Sequence, residues 1–160
     1  MPIASRQHRL QPELVPRPLW GRSIYRSVRR SLWDQDIRQK VMETAQGVCQ
    51  CCGAEYAKGM ICHEVWQYHE ESHTAELAGF KLICRDCNFV HHIGKASTLG
   101  QADDAVAHLA RVNGIGIEEA KAIVSEAAAA WLKRSLIEDW RITVSEQAAA
   151  QFPFLRFVDI

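Results

Sequence analysis

An α+β fold is predicted by three features of the chain. Two Cys-x2-Cys pairs, Cys49/Cys52 and Cys84/Cys87, are separated by 31 residues; two stretches of β-branched, aromatic and polar residues lie between them; apolar stripes at helical spacing flank the whole. The pairs bring four thiolates within reach of one tetrahedral Zn²⁺, an ion that favours sulfur and needs no redox partner. Two disulfides or a redox thiol pair are the competing readings of the same cysteines. Disulfides suit secreted chains, and Met1-Pro2-Ile3 opens no charged-then-apolar leader, so a structural zinc in a cytoplasmic protein is the expectation. Cys51 and Cys62 are left over, and Cys51 reads as a solvent-side neighbour rather than a fifth ligand.

The elements follow in chain order. Pro12, Pro16 and Pro18 keep residues 11–19 extended. Ser31 with Asp34 predicts a helix N-cap and acidic first turn, and Trp33, Ile37, Val41 and Ala45 give the helix its apolar stripe, which Gly47 ends. Met60 to Tyr68 and Leu77 to Ile83 flank the polar run His69 to Thr74 and predict a β-hairpin linking the two cysteine pairs. A short helix is expected after Cys87, stopping at Gly94. Ala102, Val106 and Leu109 mark a further helix, and Ile117, Ala120, Val124, Ala127 and Trp131 a longer one, with Asn113-Gly114 dividing them. Arg141 to Val144 and Leu155 to Val158 read as short strands, and the alanine runs 127–130 and 148–150 as helix formers. The organisation is a basic arm over 1–30, a zinc-binding core over 31–95 and a helical C-terminal extension over 96–160.

Composition bounds the function. The 160 residues are 48% hydrophobic, enough for one compact core. The most apolar stretch, Ala127 to Leu132, is far shorter than the roughly 20 residues that cross a bilayer, so no membrane partner is expected. Net charge is zero, which disfavours a uniformly basic nucleic-acid protein, yet the charge is polarised. Residues 1–33 hold seven arginines (Arg6, Arg9, Arg17, Arg22, Arg26, Arg29, Arg30) against the single acid Glu13, a net of +6 balanced by −6 in the rest. Arginine's planar fork suits phosphate, and Trp20 and Tyr25 are interleaved. Such an arm either lies along a polyanion or docks on the acidic body of its own protein or of a sister subunit.

The order of cysteine pair, hairpin with a histidine on its first strand, cysteine pair, and helix bearing polar ligands resembles the HNH or ββα-metal (His-Me finger) nuclease fold in its zinc-stapled version. The stretches Ile61-Cys62-His63-Glu64-Val65-Trp66 and Leu82 to Gly94 are similar to a group of small bacterial and phage HNH proteins. The likeness covers about residues 30–95 and extends more weakly into Ala107-His108-Leu109-Ala110-Arg111-Val112-Asn113-Gly114. It implies a ββα-metal core that hydrolyses DNA phosphodiester bonds with His63 as general base, RNA not being excluded. It also implies a second divalent cation (Mg²⁺, Mn²⁺, Ni²⁺ or Zn²⁺) held by the helix and by the residue before the base. Imidazole titrates near working pH, which suits proton transfer. Asn88 and His92, four apart on the predicted helix, and Cys62, next to the base, are the candidate ligands for that cation, a soft thiol biasing the choice away from Mg²⁺.

Two departures from the family pattern stand out. Asn88 occupies the place of the last histidine of the signature, and Gly79 that of the middle asparagine, so the bond orienting the base has to come from elsewhere. A noncatalytic zinc-binding adaptor on the same frame is therefore the alternative function. Arg22, Arg26, Arg29 and Arg30 are the candidate nucleic-acid contacts, with His91, which lies about 100° around the helix from His92 and reads as a surface residue or phosphate contact. Glu64 alternates with His63 and should face the other side of the strand, bonded to the preceding helix or to an arginine. Val112-Asn113-Gly114-Ile115-Gly116 resembles a helix-hairpin-helix turn, but Glu118 and Glu119 in the next helical turn repel phosphate, and a simple connector is favoured. Small relatives that cut both strands often work in pairs, which admits a homodimer.

Overall fold

The structure, a computed structural model, describes residues 8–56 and 58–160; Arg6 lies outside the described residues. It is a mixed α+β fold built on a three-stranded sheet. Strands β1 (Ile61–His69) and β2 (Thr74–Ile83) form an antiparallel hairpin, and β3 (Arg141–Val144) lies parallel along the other side of β2. The hairpin register sets His63 opposite Lys81 and Glu64 opposite Phe80, and a bulge between Val65 and Trp66 leaves Ala78 outside the one-to-one pairing. As the central strand, β2 buries Ala75, Leu77, Leu82 and Ile83. β1 is an edge strand, and its flank lines a large cavity.

A helical run enters after Arg29, continues as π-helix over Leu32–Arg38 and finishes as α-helix over Gln39–Ala45, burying Trp33, Ile37 and Val41 as their spacing requires. Ser31 is not its N-cap. It already has helical dihedrals and its side chain caps nothing, because the ladder starts one turn earlier with the Trp33 amide donating to the Arg29 carbonyl. Left-handed Gln46 and then Gly47, at φ +72°, end the run.

Two other expectations need correction, and the choice left open for the basic arm narrows. The helix after the second cysteine pair does not stop at Gly94: it spans Arg85–His91, breaks at His92 (φ −105°, ψ 50°) and resumes over Ile93–Thr98, where burial of Ile93 and Ala96 outweighs the weak helix propensity of glycine. Leu155 to Val158 is no strand. Pro153–Phe157 forms a 3-10 turn that inserts Leu155 into the core and leaves Phe157 exposed. Of the two readings of the basic arm, residues 8–30 take the one docked on their own protein. Leu10, Leu19 and Ile24 are buried, and at about 1.5–3 kcal/mol per buried aliphatic side chain they hold the segment on the body against repulsion among its exposed arginines.

The remaining elements form as read: helices Ala102–Asn113 and Ile117–Arg134 around a left-handed Gly114, and Glu146–Gln151 capped by Ser145. Buried residues of all three expected segments share one core, including Leu10 and Ile24, Leu82 and Val90, and Leu109 and Leu155. Asn113 fastens the first segment to the last by a two-way bond: its Oδ1 accepts from the Leu10 amide (3.0 Å) and its Nδ2 donates to the Leu10 carbonyl (2.7 Å). That bond makes the glycine turn a connector. No helix of the described residues is long and apolar enough to cross a membrane.

Candidate metal centre and adjoining cavity

The four predicted cysteines converge. The sulfurs of Cys49, Cys52, Cys84 and Cys87 lie within 4.8 Å of one another, and Cys49–Cys87 and Cys52–Cys84 are 3.7 Å apart. A tetrahedron with Zn–S bonds of 2.3 Å has edges of about 3.8 Å, so the donor set fits zinc. All six cysteines are free thiols. Local chain geometry supplies the sulfurs with donors: Cys49 Sγ accepts from the amides of Cys52 (3.5 Å) and Cys84 (3.3 Å), and Cys84 Sγ from the amide of Cys87 (3.5 Å). The first knuckle is tied to β2 by Gln50, whose amide donates to the Leu82 carbonyl and whose Oε1 accepts from the Leu82 amide, both at 2.8 Å. Hydrogen bonds with Cys51 and Cys87 push the Cys49 thiol far down, while those with Cys49 and Cys51 push Cys87 far up. Four sulfurs this close share their protons unequally until a cation arrives.

Cys51 departs from expectation. It is buried, its Sγ 3.7 Å from His91 Nε2, and the neighbouring Cys49 raises its thiol to about 11. His91 departs further. At 1% exposure it is no surface residue and cannot touch a phosphate, because helix Arg85–His91 packs this edge against the N-terminal segment. Its Nδ1 donates to the Gln11 carbonyl at 2.7 Å, which leaves Nε2 as the acceptor facing Cys51.

On the exposed side of the frame lies a cavity of about 780 Å³ whose lining includes Cys62, His63, Asn88 and His92, together with Arg22, Arg26, Arg38 and Lys95. The His63 ring lies 4.8 Å from that of His91 and 5.3 Å from that of His92, centroid to centroid, tilted against both. Burial, and then the charge of His91, lower its pKa to about 3, so the ring is neutral near pH 7. His91 falls to about 3 and His92 falls as well, burial leading in both. The His63 Nδ1 is buried and has no hydrogen-bond partner among the described residues. Glu13 Oε2 stands 3.5 Å from it, within ion-pair reach but without hydrogen-bond alignment. Glu13 is itself fixed, its Oε1 accepting from Lys81 Nζ at 2.7 Å and its amide donating to the His91 carbonyl at 3.0 Å.

Asn88 and His92 reach the cavity from one helix, although His92 sits at the helix end rather than within it. Cys62 lines the same cavity from the strand. Strand alternation turns it to the face of Glu64, where its charged neighbours are Glu64 and Arg38, and burial raises the thiol to about 12. Among the described residues only the four-sulfur group gathers three or more His, Cys, Asp or Glu ligand atoms closely enough to hold an ion.

Glu64 stands where parity placed it. Its Oε1 accepts from the Ile24 amide (2.8 Å) and Trp66 Nε1 (3.3 Å), and its Oε2 from the Tyr25 amide (3.2 Å), seating the short helix Ile24–Ser27 on β1. That helix brings Arg26 to the cavity, with Arg22 just before it, while Arg29 is exposed elsewhere. Arg30 is committed to Asp34 at 2.9 Å and to the Tyr25 hydroxyl at 2.6 Å. Glu13, Arg38, Lys81 and Lys95 were not singled out from sequence. For Glu13 the only available signal was its standing as the one acid among seven arginines. Comparison of the chain with family models, with curated proteins and with solved structures finds no match.

Proposed function

We propose that the protein is a metal-dependent endonuclease that hydrolyses DNA phosphodiester bonds on an HNH-like ββα frame stapled by zinc. One observation carries the reading: His63, on the first hairpin strand, shares a cavity with Asn88 and His92 of the helix that begins at the second cysteine pair, and Arg22, Arg26 and Lys95 line the same space. Neutral His63 is in the protonation state a general base needs. The cationic side chains suit a backbone phosphate, and those on the N-terminal segment answer to the arginines expected to bind nucleic acid. A divalent cation on Asn88 and His92 would supply charge stabilisation when bound.

A specific observation favours a second reading, a noncatalytic zinc-binding DNA-binding or adaptor protein. Asn88, His92 and Cys62 offer the second cation no carboxylate, and a pKa near 3 makes His63 a weak base. Plasmid nicking by wild type and His63→Ala in Mg²⁺, Mn²⁺, Ni²⁺ and Zn²⁺ separates the two. The nuclease reading expects cleavage in at least one metal, lost in His63→Ala with DNA affinity kept. Equal inertness of both proteins in every metal, with DNA still shifted in a gel, would establish the adaptor.

A further inference from the structure

We infer that His108, held in one tautomer by Arg111, is a positioning residue of the zinc centre that donates an N–H···S bond to the Cys87 thiolate and slows release of the metal. The inference concerns the four-cysteine centre and is independent of any nuclease activity.

The geometry fixes the direction of each bond. His108 Nε2 lies 3.2 Å from Cys87 Sγ, and Arg111 Nη2 lies 3.2 Å from His108 Nδ1. A guanidinium has donors only, so Nδ1 must accept and the ring proton must sit on Nε2, facing sulfur. Among the described residues Cys52 and Cys87 both lack an amide donor, and of the two Cys87 is the fully buried one. Cys49 accepts two amide N–H groups and Cys84 accepts one, whereas no amide of the described residues serves Cys87. Four thiolates around Zn²⁺ leave a net charge of −2, and Cys87 carries its share in a buried position where an unsolvated charge is costly. His108 and Arg111 are three apart on helix Ala102–Asn113, hence on one face, and that helix brings the pair to the metal from outside the 31–95 segment. The phrase Ala107 to Gly114 thereby acquires a role for each of its polar members, Asn113 fastening Leu10 while His108 and Arg111 serve the cysteines.

The test uses the full-length zinc-loaded protein. Zinc transfer to an excess of a chromogenic chelator is timed for wild type, His108→Phe, which keeps the bulk without the donor, His108→Gln, which keeps an N–H donor, and Arg111→Met. Loss of an outer-shell partner of this kind costs about 10–100-fold in metal retention. His108→Phe is expected to release zinc faster by that factor, His108→Gln to recover much of the loss, and Arg111→Met to fall between. Nitrogen NMR of the His108 ring is expected to show the Nε2-protonated tautomer in wild type and a mixture in Arg111→Met. Release from folded His108→Phe within twofold of wild type would overturn the inference, as would equal failure of His108→Gln and His108→Phe, which would mark a packing role. Should His108→Phe not fold, Arg111→Met decides: an unchanged release rate with an unchanged tautomer refutes the proposal. Wild type that binds no zinc refutes it outright.

Discussion

Replacing Glu64 tests how the edge strand holds the N-terminal segment, because alanine and glutamine there have opposite expectations. Glu64→Ala strands three donors. The Ile24 amide belongs to a residue with 0% exposure and has no route to water, so its loss costs about 1–3 kcal/mol; Trp66 Nε1 adds a fraction of that, and the amide of exposed Tyr25 rehydrates at little cost. The sum is about 2–4 kcal/mol. Glu64→Gln is different, since Oε1 alone serves both Ile24 and Trp66, and a carboxamide oxygen can take that position while its NH₂ turns toward Tyr25. Burial also raises the Glu64 pKa above the ordinary carboxylate value, more strongly than the accepted bonds lower it, so the ionised form is itself disfavoured in the fold. Removing that charge offsets the one lost bond, and glutamine should lie within about 1 kcal/mol of wild type.

The sign extends to pH. A carboxyl whose pKa rises on folding contributes most below its ordinary value and loses that contribution as pH climbs through the raised one, so Glu64→Gln should gain on wild type across that window. Denaturant unfolding gives the free energies, and hydrogen exchange at the Ile24 amide locates the loss. Alanine within about 0.5 kcal/mol of wild type, or glutamine as damaging as alanine, would refute the account.

Three further outcomes follow from the same structure. Asn113→Ala should cost about 1–3 kcal/mol and accelerate exchange at the Leu10 amide, since both polar groups of Leu10 lose their partner; unchanged exchange would place the anchor elsewhere. In DNA binding titrated against salt, Arg22→Ala with Arg26→Ala should flatten the slope of log K against log salt by about 2, and Arg30→Ala, already paired with Asp34, should leave it nearly unchanged. Because His63 and His91 fall to about 3 from an ordinary value near 6.5, the unfolded chain binds more protons between those limits. Stability is full above about pH 6.5 and is lost as pH falls toward 3, and His91→Gln should lower the slope by about one proton. An identical slope in the variant would show that His91 titrates normally.

Much of the fold was legible because local chemistry and long-range packing ask for the same thing. The cysteine spacing, the strands expected over Met60 to Tyr68 and Leu77 to Ile83, the second of which begins earlier at Thr74, and the stripe from Trp33 to Val41 all appear. The failures occurred where an earlier helix start or core packing overrides residue type. Ser31 has the residue type of a cap, but the Arg29 carbonyl had already begun the helix. Gly94 has the residue type of a stop, but Ile93 and Ala96 gain more from the core than glycine loses. Leu155 to Val158 carries a β-like composition, yet Pro153 removes a donor and Leu155 is drawn inward alone.

The candidate site was legible on the strand and in the metal centre, and illegible where the N-terminal segment completes it. Parity alone separates His63 from Glu64, and the same parity separates His63 from Cys62, although all three line the cavity at the sheet edge. His91 could not be read that way. Its burial depends on Gln11 and Glu13, some 80 residues earlier, arriving over the end of helix Arg85–His91, and no helical period encodes the return of a distant segment. Once Leu10, Leu19 and Ile24 are seen to anchor that segment, the polarity of the charge pattern takes on a different meaning. Glu13 is the residue that faces inward, onto Lys81 and toward His63, while Arg22 and Arg26 are carried to the cavity by the helix that Glu64 seats. The basic segment is thus a wall of the site, and its cations are set there by an acid on the strand they cover.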